Sequence, residues 1–140
     1  MKIKTLAAST TAFLHLKGPD GAHLYDGEQP VGIELYGPGS PQFSQVEEKQ
    51  SARAIARMRD NDNKVSLAPI DERRTQAADD LAALTADFRL IEHEDADGKA
   101  LTGAALFTAV YADPALGWIK EQVTRFVGDW SRFTTASATS

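Results

Sequence analysis

From residue 11 to residue 36, apolar side chains come in short runs broken by turn residues. Phe13, Leu14 and Leu16 lead into Gly18-Pro19-Asp20-Gly21. Proline fixes φ there and glycine accepts positive φ, so the run predicts a turn with Ala22 to Tyr25 pairing back across it. Asp26-Gly27 gives a second turn. Val31, Ile33 and Leu35 then alternate with Gly32, Glu34 and Tyr36, the pattern of a half-buried strand. A meander of two or three such strands needs helices to pack on. The first ten residues read as a strand or a loose arm. Their basic start imitates a signal peptide, but the apolar stretch is short and is broken by Ser9, Thr10 and Thr11.

The period changes after Gly37-Pro38-Gly39. Ser40 is suited to cap a helix and Pro41 to its first position, where a missing N–H has no intrahelical partner to lose. From Gln42 to about Arg59 the residues are helix formers. The stripe of Phe43, Val46, Ile55 and Met58 is thin, which predicts a helix that is half exposed or covers a partner. Residues 60–72 lack periodicity and read as a mobile linker. A second helix is expected from about Arg73 or Arg74 to Phe88, with Ala77, Leu81, Leu84 and Phe88 in register. Arg89 to Glu92 either prolongs it or turns extended, and Asp95-Ala96-Asp97-Gly98 is a turn. Two short amphipathic helices follow, separated by a sharp break at Asp113-Pro114, a capping residue and a first helical residue. Beyond the break, Leu116, Ile119, Val123, Phe126 and Trp130 form one apolar stripe. Residues 134–140 are low in complexity and read as a disordered tail. The predicted fold is α+β: a small N-terminal antiparallel β-meander (11–36) packed on three to four α-helices (40–130), in a single domain spanning residues 1–133.

Composition narrows the function classes. At 140 residues, 42% hydrophobic and 25% charged, the chain reads as one globular domain able to bury a core. It has no cysteine, which excludes disulfides, thiolate metal sites and a cysteine nucleophile, and which fits a reducing cytoplasm. The net charge is −5, with 8 basic against 10 acidic residues in 1–72 and 7 against 10 thereafter. Neither half is basic, so no nucleic-acid partner is expected. No apolar run approaches a membrane span, so no membrane partner is expected either.

Candidate chemistry is sparse. Gly37-Pro38-Gly39-Ser40 precedes a helix but lacks the lysine of a P-loop, and reads as a strand-to-helix corner. His93 to Gly98 has two aspartates before a glycine, yet a calcium loop fails at its first position, His93, and at its closing position, Ala104. Asp60-Asn61-Asp62-Asn63 fails similarly, lacking the glycine and the closing glutamate. His15, His23 and His93 show no zinc spacing, and His15 reads as a cross-strand or surface residue. Glu47/Glu48 and Asp79/Asp80 are neighbours on helices, point in different directions, and read as solvated faces. No catalytic group, cofactor or metal site is expected, and the chain reads as a non-enzyme.

Two sets remain as candidate partner-binding residues. Lys49, Arg53 and Arg57 recur every four residues as a basic ridge, without aromatic interleaving. That ridge suits solubility or an acidic partner better than nucleic acid. Trp118, Phe126, Trp130 and Phe133 form an aromatic set. Phe126 reads as core. Trp130 and Phe133 lie at or beyond the helix end, where little chain remains to cover them, and are open to either role, core or interface anchor.

The C-terminal residues also carry a resemblance. Residues 110–123, VYADPALGWIKEQV, and 126–133, FVGDWSRF, resemble the C-terminal signature of small phage and prophage proteins described as tail assembly chaperones of long-tailed phages. Residues 31–43, VGIELYGPGSPQF, resemble that family's strand, glycine–proline turn and helix start. The resemblance runs from about residue 13 to residue 133, with residues 60–72 unmatched. It implies a chaperone in the host bacterial cytoplasm that keeps the tail tape-measure protein soluble while tube subunits polymerise, and is absent from the mature virion. The expected partner is the tape-measure protein, with the tail tube protein as an optional second and self-association left open. The expected mechanism is reversible burial of apolar helical segments against the helix at 42–59 and the aromatic C-terminus. The alternative is a structural tail or connector protein retained in the virion, using the same aromatic helix.

Overall fold

Three strands form one antiparallel sheet in the order β1-β4-β5. They are β1 (Thr11–His15), β4 (Gly32–Tyr36) and β5 (Thr85–Arg89). A separate hairpin of two two-residue strands, β2 (Tyr25–Asp26) with β3 (Gln29–Pro30), sits in the β1–β4 connection. The structure is a computed structural model describing residues 1–62, 64 and 68–134. Residues 63 and 65–67 of the expected linker, and 135–140 of the expected tail, lie outside the described residues. The α+β class read from the sequence holds.

The alternation in β4 works as predicted: Ile33 and Leu35 are fully buried while Glu34 and Tyr36 are half-buried on the other face. The principal partner of β1 is β4, in the register Phe13↔Glu34 and Leu14↔Ile33. Pairing across the Gly18–Gly21 turn shrinks to one bridge, Lys17 with His23, beside a bond from the Leu24 N–H to the Leu16 carbonyl. Gly32 is required where it stands, because a Cβ there would collide with the Leu14 carbonyl and the Phe13 ring.

Helix α1 (Pro41–Asp60) starts as predicted. The Ser40 hydroxyl accepts from the Phe43 N–H at 3.2 Å and donates to the Gly37 carbonyl at 2.7 Å, which makes the glycine–proline segment a strand-to-helix corner. Val46 is its one buried residue, while Ile55 and Met58 are exposed, so the thin stripe is real. Helix α2 (Ile70–Ala83) begins three residues before the expected start, so the predicted linker is helical at both ends.

The expected helix to Phe88 is a correction. It stops at Ala83, and Thr85–Arg89 is the edge strand β5. Leu84 and Phe88 fit helical spacing, but Phe88 also fits a strand, where it pairs with Ile33 and packs on Phe107 with ring centroids 4.6 Å apart. Helices α3 (Gly103–Ala112) and α4 (Gly117–Val127) supply the rest of the core through Val110, Tyr111, Ile119, Val123 and Phe126. Among the described residues no helix is long and apolar enough to cross a membrane.

Candidate functional site

The C-terminal quarter is built from its caps. The Asp113 carboxylate accepts from the Ala115 N–H at 2.9 Å and opens a 3₁₀ turn, Pro114–Leu116, that runs into α4. The stripe of α4 turns inward at Ile119, Val123 and Phe126, all buried. A second 3₁₀ turn, Trp130–Arg132, follows Gly128 and Asp129. The Asp129 carboxylate accepts from the Ser131 hydroxyl at 2.6 Å and the Ser131 N–H at 3.0 Å. Those bonds, the hydroxyl's first, hold its carboxyl below the usual aspartate range.

This turn separates the two aromatics that sequence spacing could not distinguish. Phe133 is 0% exposed. Its ring rests on Gly37, where any Cβ would collide with it, and meets the Phe126 ring edge-to-face at 5.3 Å. Phe133 is therefore core, and its reading as an exposed anchor is corrected. Trp130 is 60% exposed. Its ring lies over Gly39, where a Cβ would sit 3.3 Å from it. Phe126 is core, as expected, and Trp118 is half-buried beside an apolar hollow that Leu16, Leu24 and Ile91 also line.

The N-terminus completes the surface. The Ser9 N–H donates to the Phe133 carbonyl at 2.7 Å, which ties the N-terminal segment to the turn after α4. Ile3–Leu6 forms a 3₁₀ turn rather than a strand or loose arm. Ile3 (73% exposed), Leu6 (67%) and Trp130 then line a shallow apolar cleft of about 680 Å³ with Phe133 at its inner side. Sequence reasoning missed Ile3 and Leu6. Their i, i+3 spacing in a six-residue segment was the available signal, but only the Ser9–Phe133 bond reveals that they share a surface with Trp130.

The basic ridge has a different role from the one expected. Arg53 grips Asp80 with both terminal guanidinium nitrogens, Nη1 at 3.0 Å and Nη2, and Gln50 donates to the same carboxylate at 3.1 Å. The bond to Asp80 raises the Arg53 pKa further, against the opposing effect of burial. Arg57 lies 3.7 Å from Glu72. Arg53 and Arg57 thus join α1 to α2, and Lys49 is the exposed member of the three. Asp80 is buried, which corrects its reading as part of a solvated face. Asp79 is exposed.

Other candidates resolve simply. The Asp95 carboxylate accepts from the Asp97 and Lys99 N–H groups at 2.9 Å each, so it closes a turn. His15 stacks on His23 with centroids 4.3 Å apart and bonds the Leu24 carbonyl through Nε2 at 2.8 Å. Among the described residues, no three His, Asp or Glu side chains are grouped to hold a metal ion. Compared with known proteins, the chain matches no family model, no curated protein and no solved structure.

Proposed function

We propose that this chain is a non-enzymatic assembly chaperone for the tail of a long-tailed phage, acting in the host cytoplasm by binding the tape-measure protein. The observation that carries this reading is the apolar cleft where the N-terminal segment meets the turn after α4, with Ile3, Leu6 and Trp130 exposed beside a well-packed core. Large apolar side chains clustered on a surface mark a place where another apolar surface docks. A tryptophan whose ring is held over Gly39 is a pre-ordered anchor. Helix α1 offers a second apolar contact through Ile55 and Met58. The resemblance of residues 110–133 to tail assembly chaperones supplies the partner: the apolar helical segments of the tape-measure protein, with the tube protein as the second candidate.

The test is co-expression with the tape-measure protein of the same genome, followed by capture of this chain. The tape-measure protein is expected in the soluble, captured fraction. It should be lost with Leu6→Ala/Trp130→Ala while the variant's melting temperature stays near that of the parent. A tape-measure protein that stays insoluble and unbound beside the parent chain overturns the proposal. Detection of the chain in purified particles would move the assignment to a retained tail or connector component.

A further inference from the structure

Strand β1 is an edge of the sheet, and its outer row of backbone groups is covered at both ends but not in the middle. The phase of the ladder follows from two bonds, Leu16 N–H to the Val31 carbonyl at 3.0 Å and Gly37 N–H to the Thr10 carbonyl at 2.9 Å. Even-numbered residues of this segment therefore aim their backbone groups at β4, and odd-numbered residues aim theirs away. At one end of the outer row, the Ser9 N–H is bound by the Phe133 carbonyl and the Thr11 carbonyl accepts from the Ser9 hydroxyl at 3.0 Å. At the other end, the Gln122 side chain copies a strand. Its Oε1 accepts from the Lys17 N–H at 2.8 Å and its Nε2 donates to the Lys17 carbonyl at 2.7 Å. Between them, the N–H and C=O groups of Phe13 and His15 have no partner among the described residues.

That open stretch borders a groove of about 490 Å³ whose far wall is α4 and the turn after it. Leu14 and Phe126 give the groove apolar surface. Lys17, Arg125 and Arg132 stand around it, against a single carboxylate, Asp129, which is bonded by Ser131 and lies 3.8 Å from Arg132, so that two of the three cations are uncompensated within the groove. On a chain of net charge −5, this is a local concentration of positive charge.

We propose that this part of β1 captures an extended, acidic segment of a partner protein by strand addition. Two donors and two acceptors, from Phe13 and His15, would bond its backbone, and alternate side chains would enter the groove beside α4. Acidic side chains would meet Lys17, Arg125 and Arg132. A second copy of this chain is disfavoured as occupant, because two-fold pairing of β1 with itself would bring the same cations together. The proposal is independent of the chaperone reading, which concerns the Trp130 cleft.

The test uses the full chain labelled with 15N and a short capped peptide alternating valine and glutamate. Its comparators are the lysine counterpart and a copy N-methylated at alternate residues. The glutamate peptide is expected to bind and to slow amide exchange at Phe13 and His15, while Leu14, already bonded to β4, changes little. The lysine and N-methylated peptides should not bind. Arg125→Glu/Arg132→Glu, both at exposed positions, should weaken binding by about tenfold or more. Phe13→Pro removes one outward N–H and should weaken it as well. Absence of binding by the glutamate peptide, or binding that leaves the Phe13 and His15 amides unchanged, overturns the proposal. So does protection of those amides by dimerisation of the chain alone, which would make the occupant a second copy.

Discussion

Tyr111 shows how a single buried polar group ties elements together. It is 1% exposed, and its hydroxyl lies 2.7 Å from Thr85 Oγ1, whose own proton is donated to the Leu81 carbonyl at 2.8 Å. The tyrosine is therefore the donor, and α3 is bonded to the junction of α2 and β5. Burial pushes the phenol well above its ordinary pKa. In the unfolded chain a tyrosine ionises at about pH 10, whereas in the fold it keeps its proton there. Above that pH the folded state holds more protons, so this contribution is intact below about pH 10 and declines as pH rises further. Tyr111→Phe is expected to lose about 1 kcal/mol near neutrality and to decline less steeply in alkali. Urea midpoints for both chains at neutral and alkaline pH test this, and parallel decline of the two would refute it. Residue identity alone did not reveal such pairings. The four-residue spacing of Lys49, Arg53 and Arg57 placed them on one face of α1, but not Asp80 of α2 opposite that face.

Among elements, the edge strand β1 depends on a side chain from the far end of the sequence. Gln122 forms the two bonds a neighbouring strand would make with Lys17, and donates to the Trp118 carbonyl at 3.0 Å within its own helix. This blunts one end of the sheet edge and fastens α4 to it. Gln122→Ala should cost roughly 1–2 kcal/mol, since both Lys17 groups are exposed and regain water. It should also speed amide exchange at Lys17 while Leu16, bonded to Val31, stays protected. Equal acceleration at both positions would mean general loosening instead. Elements defined by local chemistry were legible in the sequence: the Ser40 cap, the Pro41 start, the alternation of β4 and the inward stripe of α4. Strand β5 was not. Its five residues follow a helix without a break signal, and only pairing with β4, about fifty residues earlier in the chain, makes them extended. The Glu34–Arg89 ion pair at 3.1 Å and the Arg89 guanidinium 4.6 Å above the Phe13 ring are products of that same long-range pairing.

At the scale of the molecule, the N-terminal segment and the turn after α4 form one structure, and this decides what Trp130 and Phe133 do. Phe133 fills the space that Gly37 leaves, contacts Phe126 and holds the N-terminal segment through the Ser9 bond. Three residues earlier, Trp130 lies over Gly39 but keeps most of its surface in water. Amphipathic spacing put both residues at a helix end and could not separate them, because the separation arises from a 3₁₀ turn that Asp129 caps. The consequence is a clean division between stability and binding. Phe133→Ala opens a cavity in a packed site and should cost roughly 3 kcal/mol or more. Trp130→Ala should stay within about 1 kcal/mol of the parent, because the ring is largely exposed. Amide exchange at Ser9 reads the same distinction locally: fast in Phe133→Ala, where its acceptor segment is no longer anchored, and unchanged in Trp130→Ala. If Trp130→Ala proves as destabilising as Phe133→Ala, Trp130 is a structural residue. The cleft then loses its claim as a docking surface, whatever the outcome of partner capture.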